Sequence, residues 1–98
     1  MKAFSLSIGL VMMVALSGSA ALAQTTCATR VVQATGPSAL LEGSARSKAR
    51  AAWSRRVSES KRLGPSYATW LRARNPHYTC TRAKKSYICT ASAMPCRV

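Results

Sequence analysis

Residues 77–92 read HYTCTRAKKSYICTAS, and this stretch decides the fold. Its two flanks alternate along an extended chain and carry Tyr, Thr and Ile, which favour strands. Its centre, AKKS, predicts a tight basic turn. If the turn is centred on Lys84 and Lys85, Cys80 lies directly opposite Cys89, near the reach of a disulfide. The stretch therefore predicts a β-hairpin, with two further opposed pairs: Tyr78 with Ala91, and Arg82 with Tyr87.

The N-terminal segment predicts export. Residues 1–23 read MKAFSLSIGLVMMVALSGSAALA, in which Lys2 supplies a positive start, a mostly apolar run follows, and Ala-Leu-Ala forms a cleavage site that ends at Ala23. Serine and glycine dilute the apolar run, whereas a membrane-spanning helix needs roughly 20 predominantly apolar residues. We predict a signal peptide over 1–23 and a single small cationic domain over 24–98, periplasmic or secreted, with no integral membrane segment after cleavage.

Four cysteines follow the predicted cleavage site: Cys27, Cys80, Cys89 and Cys96. In an exported chain they predict two disulfides rather than a redox or metal site. They can pair in three ways, of which Cys27–Cys96 with Cys80–Cys89 is one candidate, and the sequence does not choose among them. Each bridge stabilises by roughly 2–4 kcal/mol, which is a large share of the roughly 5–15 kcal/mol that holds a small domain together.

The strongest periodic signal upstream of the hairpin is helical. Ala45, Ala49, Trp53 and Val57 recur every four residues and form one apolar face. Arg56 falls within the arc of that face, where its aliphatic stem can lie along the core while its guanidinium reaches water. The pattern predicts an amphipathic helix, and either of two serines is expected to cap its N-terminus: Ser38 or Ser44.

A second short helix is predicted from Pro65 to about Arg74. It would lie between a Gly-Pro pair that ends the first helix and an Asn-Pro pair that stops the second. Its apolar face would consist of Tyr67, Trp70 and Leu71, at positions i, i+3 and i+4. The two tryptophans of the chain, one on each predicted helix, are expected to pack in one core.

The N-terminal part of the predicted domain favours a strand. Residues 25–34 read TTCATRVVQA, which is rich in β-branched side chains, and Gly36 with Pro37 ends the run. The order of these elements predicts an α+β fold. It would be a small disulfide-stapled domain with an N-terminal strand, two helices and then a β-hairpin.

The charge of the chain is one-sided. It has 15 Lys and Arg residues against two acidic residues, Glu42 and Glu59, for a formal net charge of +13. Such a chain is expected to bind an anionic polymer or envelope surface: a lipopolysaccharide-like molecule, an acidic lipid or another polyanion. Arginine binds phosphate or carboxylate through paired hydrogen bonds. The candidate polyanion-binding residues are Arg46, Lys48, Arg50, Arg55, Arg62, Arg72, Arg74, Lys84 and Lys85.

Few side chains are suited to catalysis. Of the types most used for general acid–base chemistry, the sequence after residue 23 offers His77, Glu42 and Glu59, and none of them lies in a recognisable motif. The cysteines form no Cys-x-x-Cys pair, so no metal site is predicted, and no glycine-rich phosphate loop indicates a cofactor. The sequence therefore predicts a protein without enzymatic activity.

A spaced pattern covers about two thirds of the predicted domain. It reads W-x3-V at Trp53 and Val57, then G-x2-Y-x2-W from Gly64 to Trp70, then C, C and A-x-P-C ending at Cys96. This pattern resembles that of a group of small, functionally uncharacterised exported proteins of alphaproteobacteria. The resemblance implies export and a shared fold, and it carries no catalytic residue to this chain.

Three functions follow from these observations as hypotheses. The leading one is a non-enzymatic exported cationic protein that binds an anionic envelope component or other polyanion. The first alternative is a structural or interaction protein with a protein partner, which an exposed apolar patch around Tyr78, Tyr87 and Ile88 would favour. The second alternative is a secreted nuclease that uses His77 together with arginines.

Overall fold

The computed structural model describes residues 25–98 as an α+β fold with one α-helix and a three-stranded antiparallel sheet. The predicted signal peptide, residues 1–23, lies outside the described residues. The elements in chain order are β1 (Thr26–Cys27), β2 (Val32–Thr35), α1 (Glu42–Ser58), two 3-10 helices (Pro65–Tyr67 and Trp70–Arg72), β3 (Arg74–Ala83), β4 (Ser86–Met94) and β5 (Cys96–Arg97). None of the helices within 25–98 is long and apolar enough to cross a membrane.

The predicted hairpin is confirmed. β3 and β4 pair antiparallel around the two-lysine turn, and Cys80 lies directly opposite Cys89. These two cysteines form one disulfide, and Cys27 forms the other with Cys96. The structure therefore has the candidate pairing that joins opposed strand positions in both cases. The register also contains the two further predicted pairs: Tyr78 with Ala91, and Arg82 with Tyr87.

The prediction of one strand over residues 25–34 was wrong, because the stretch divides into β1 and β2. β1 pairs with β5, with Cys27 opposite Cys96, whereas β2 pairs with β4, with Val32 opposite Ala93. Pro95 has no N–H to donate to a ladder and separates β4 from β5. Four residues separate β1 from β2, whereas only two residues separate the partners of Cys27 and Val32 on the opposite side of the pairing. The extra residues therefore have no partners and lie outside the ladder.

The core lies between α1 and the inner face of the sheet. The predicted helical face is confirmed, since Ala45, Ala49, Trp53 and Val57 are all fully buried. The central strand β4 presents small side chains to this face, so the helix and the sheet approach closely. The indole Nε1 of Trp53 donates a hydrogen bond of 3.0 Å to a backbone carbonyl of β2. The buried residues that β2 and β4 contribute are Ala34, Cys89, Ala91 and Ala93.

Gly36 lies where the chain after β2 passes close to the backbone of α1. A Cβ placed there would lie 2.6 Å from the backbone nitrogen of Ala49, and backbone cannot rotate aside as a side chain can. We expect Gly36→Ala to lower the free energy of unfolding by about 1–3 kcal/mol, because the helix must shift to admit the methyl group. Urea unfolding followed by circular dichroism measures this change.

Gly43→Ala is the matched control for that substitution. Gly43 lies in the first turn of α1, and a Cβ there would have no atom within 4 Å. Because alanine favours a helix over glycine, we expect this variant to be neutral or more stable by up to roughly 1 kcal/mol. If Gly36→Ala proves as harmless as Gly43→Ala, the described spacing between Gly36 and α1 is wrong.

The second predicted helix, Pro65 to about Arg74, is not an α-helix. Two 3-10 helices replace it, separated by an extended Thr69, and β3 already begins at Arg74. Nucleating an α-helix is costly, and a segment this short between two helix-breaking pairs would form few hydrogen bonds to offset that cost. Short 3-10 turns suit it better. The arrangement directs Trp70 onto Trp53, with ring centroids 5.1 Å apart, while Leu71 is 87% exposed.

The predicted serine cap of α1 is also absent. The residue before the helix is Leu41, which makes no side-chain capping bond. Ala39 exchanges two backbone hydrogen bonds with Tyr87, so this point of the chain is fixed to the start of β4. Ser38 consequently lies ahead of that tether, and Ser44 lies within the first turn of the helix.

Candidate anion-binding groove

The basic side chains of the described residues all face water. Apart from Lys2, every Lys and Arg of the chain lies within 25–98, and each one is exposed. The only ion pair in this part of the chain joins Nη2 of Arg46 to Oε2 of Glu42, at 3.0 Å. The remaining cations there are not neutralised by a paired carboxylate, so they are available to an external anion.

Three of these arginines lie over tyrosine rings. Such cation–π contacts stabilise by roughly 0.5–1 kcal/mol at exposed sites and hold the guanidinium in place. Arg46 is engaged twice, because it also pairs with Glu42. The contacts are Arg46 over Tyr78 at 5.5 Å, Arg82 over Tyr87 at 5.6 Å and Arg97 over Tyr67 at 5.7 Å from the ring centroid.

Adjoining clefts follow the free edge of β2. This strand pairs with β4 on one side only, and within 25–98 no strand pairs with its other edge. A cleft of about 510 Å³ lies between that edge and the C-terminal half of α1. A second cleft of about 360 Å³ continues from it toward the segment between β1 and β2. Both share the side chains of Val32, Ser60 and Leu63, so they form one continuous depression, here called the β2 groove.

Four arginines line the β2 groove. Arg55 and Arg56 come from α1, Arg30 from the segment before β2, and Arg62 from the turn after the helix. Glu59 is the one acidic side chain among the lining residues. The four cations come from three separate segments of the chain, and only the packing of β2 against α1 brings them to one place.

The position of Arg56 follows from the shape of the core. The buried residues of α1 recur every four positions, and because a helix has 3.6 residues per turn, this stripe rotates around the helix axis toward its C-terminus. Arg56 lies beside the stripe where α1 passes the edge of the sheet, so its side chain extends beyond β2. It lines a third cleft there with Thr35 and Thr90, on the outer face of the sheet.

The backbone of β2 adds hydrogen-bonding groups to the groove. Gly36 donates to the carbonyl of Cys89 at 3.1 Å, which places the bonded pairs of this ladder at alternate positions along β2. The alternation directs the N–H and C=O groups of Gln33 and Thr35 away from β4, toward the free edge. Of these two residues Thr35 lines the groove, which therefore combines guanidinium groups with a main-chain donor, and both bind anionic oxygen atoms.

The structure brings together only part of the predicted basic set. Of the nine predicted residues, Arg55 and Arg62 line the β2 groove. Arg30 and Arg56 line it as well but are missing from the prediction, because no sequence pattern links them. The other predicted residues lie elsewhere: Arg46, Lys48 and Arg50 on α1, Arg72 in the second 3-10 helix, Arg74 at the start of β3, and Lys84 with Lys85 in the hairpin turn.

The residues named for the two alternatives are dispersed. Tyr78 and Tyr87 are half-buried on the inner side of the hairpin, whereas Ile88 lies on the outer face, so the three do not form one patch. The exposed ring of His77 has its Nδ1 3.3 Å from the carbonyl oxygen of Asn75. Within 25–98, no group of three or more His, Cys, Asp or Glu side chains could hold a metal ion.

No protein-family model matches this chain. The search of curated proteins and the search of solved structures also gave no match.

Proposed function

We propose that this chain is a non-enzymatic exported protein that binds an anionic polymer of the cell envelope in the β2 groove. The observation that supports this most is the convergence of Arg30, Arg55, Arg56 and Arg62 on one groove. Guanidinium groups bind phosphate and carboxylate through paired hydrogen bonds, and four of them around one depression give an anion several such contacts.

The electrostatics of the groove favour a polyanion over a neutral ligand. Glu59 opposes four arginines there, and a cleft lined by one sign of charge concentrates the field that attracts counter-ions. The rest of the domain contributes a positive background, since 15 Lys and Arg residues in the chain stand against two glutamates. Binding should therefore weaken steeply with added salt.

The shape of the groove favours a chain over a single small anion. The four residues of β2 span about 13 Å at roughly 3.3 Å per residue, and the groove continues beyond them toward Arg30 and Arg62. Its floor carries Val32 and Leu63, which are half-buried and suit the C–H faces of a sugar backbone. An acidic polysaccharide or a lipopolysaccharide core fits this combination.

Export is the second part of the proposal. The two disulfides are compatible with an oxidising compartment outside the cytoplasm. Together with the predicted signal peptide over 1–23, they support a periplasmic or secreted location. There the protein would meet the anionic polymers of the envelope directly.

Neutralising two arginines of the groove tests its role. We expect Arg55→Gln with Arg56→Gln to weaken binding to heparin or lipopolysaccharide by about tenfold or more, because two direct contacts are lost. The slope of log affinity against log salt should fall by about two in the same variant. Titration at several salt concentrations measures both quantities.

Arg72→Gln with Arg74→Gln is the control of equal charge loss. These residues lie outside the groove, in the second 3-10 helix and at the start of β3. We expect this variant to lose less than about threefold in affinity for heparin or lipopolysaccharide, because only the general positive field of the domain is reduced. Equal losses of affinity in the two double variants would mean that diffuse charge, and not the groove, binds the polyanion. If the unaltered protein does not bind at low salt, polyanion binding is rejected altogether.

A further inference from the structure

We infer that the end of the molecule that carries the hairpin turn docks on an anionic lipid bilayer, with Leu40 and Leu41 entering the interface. This surface is separate from the β2 groove and goes beyond the proposed polymer binding. The leucines are 74% and 69% exposed, and two large apolar side chains in succession at this exposure leave water readily for an apolar phase.

The topology places these leucines beside the hairpin turn. Ala39 and Tyr87 exchange two backbone hydrogen bonds, of 3.0 and 2.7 Å, in an antiparallel bridge. Because the bridge is antiparallel, the chain that leaves Ala39 toward Leu41 runs in the direction of Ser86 and the turn. Two residues of extended chain cover about 7 Å, so Leu41 and Lys85 both lie within about this distance of the bridge.

The cations of the turn, at the same end of the molecule as the leucines, carry the charge that an anionic membrane attracts. Lys84 and Lys85 form the turn, and Arg82 lies in the preceding strand with its guanidinium over the ring of Tyr87. The nearest carboxylate along the chain, Glu42, is bonded to Arg46 at 3.0 Å. Apolar side chains flanked by basic residues are the arrangement by which a protein lies on a bilayer surface.

The backbone conformation of the hairpin turn supports a functional role for the charge of its lysines. Lys84 has a φ of +56°, a conformation that glycine or asparagine adopts at lower cost than lysine. A lysine at such a position keeps a cation at the tip of the hairpin despite the strain, and strained residues of this kind concentrate at functional sites. The charge and the exposed leucines thus point to the same partner.

Vesicle partition tests the inference. The protein, purified from expressing cells with both disulfides intact, is sedimented with vesicles of phosphatidylglycerol and phosphatidylcholine, or of phosphatidylcholine alone. We expect partition into the anionic vesicles only, and a loss of about tenfold or more in Leu40→Ser with Leu41→Ser. Residues 1–23 are the same in every variant, so the comparison isolates the changed side chains.

Leu71→Ser is the matched control, because Leu71 is equally apolar and 87% exposed but lies near the other end of the ten-residue strand β3. It should change partition less than about twofold. Unchanged partition in the Leu40/Leu41 variant, an equal loss in Leu71→Ser, or no preference of the unaltered protein for anionic vesicles overturns the inference.

The test also separates this inference from the proposed function. The Leu40/Leu41 variant should keep its heparin affinity, whereas the Arg55/Arg56 variant should keep most of its vesicle partition. Heparin binding without vesicle binding would reject membrane docking alone, and vesicle binding without heparin binding would reject the groove alone. Intact mass and circular dichroism establish that each variant is folded with both bridges formed.

Discussion

Replacing Trp53 with alanine is expected to lower the free energy of unfolding by about 3–5 kcal/mol, a large share of the roughly 5–15 kcal/mol that holds a small domain together. Trp53 is fully buried, and it is the largest side chain in the core of the described residues. Its ring packs edge-on against Trp70 at 5.1 Å, and its Nε1 donates to the carbonyl of Val32 at 3.0 Å. Alanine would remove the packing and the hydrogen bond and leave a cavity between α1 and the sheet.

Trp53→Phe separates the two contributions. Phenylalanine retains much of the apolar volume but has no N–H to donate to the carbonyl of Val32. The free energy of unfolding should therefore fall by less than in Trp53→Ala, by about 1–3 kcal/mol. Urea unfolding followed by circular dichroism compares both variants without relying on the altered fluorophore. A loss below about 1 kcal/mol in Trp53→Ala would mean that the core is not centred on this residue.

Removing the Cys27–Cys96 disulfide has the second largest expected effect. This bridge joins residues 69 apart, whereas Cys80–Cys89 joins residues only 9 apart within the hairpin. The bridge over the longer loop restricts the unfolded chain more, so Cys27→Ala with Cys96→Ala should cost about 4 kcal/mol. The corresponding double variant at Cys80 and Cys89 should cost about 3 kcal/mol.

The comparison of the two cysteine variants is internally controlled. Cys96 and Cys89 are both almost completely buried, so the loss of buried sulfur is similar in each. The long bridge also fixes the small β1–β5 sheet, in which Cys27 lies opposite Cys96. Parallel urea titrations measure the difference, and a larger cost for the Cys80/Cys89 variant would contradict the account of how the termini are held.

The hairpin and the main helix were predictable because their signals are local. The alternation around the lysine pair and the four-residue recurrence from Ala45 to Val57 each arise within one element. The segment from Pro65 was predicted wrongly, because its apolar spacing suits an α-helix, whereas a segment this short between two helix-breaking pairs forms 3-10 turns more readily. The division of the N-terminal strand depended on Pro95, more than sixty residues away along the chain.

The groove could be predicted only in part. Its charge was evident from composition, and Arg55 and Arg62 were among the predicted residues. Arg30 and Arg56 reach the same site only because β2 is an edge strand that packs beside the C-terminal half of α1. No periodicity in the sequence indicates the contact between β2 and α1. The helical pattern placed Arg56 within the apolar arc rather than at the border of a groove.

The most direct test of polymer binding in the β2 groove is residue-level mapping by nuclear magnetic resonance with a heparin-derived oligosaccharide. We expect the largest shifts on the amide of Thr35 and on the side-chain Nε–H groups of Arg55 and Arg56, which line the groove. Shifts spread evenly over the basic residues of the domain, or concentrated around Arg72 and Arg74, would contradict it.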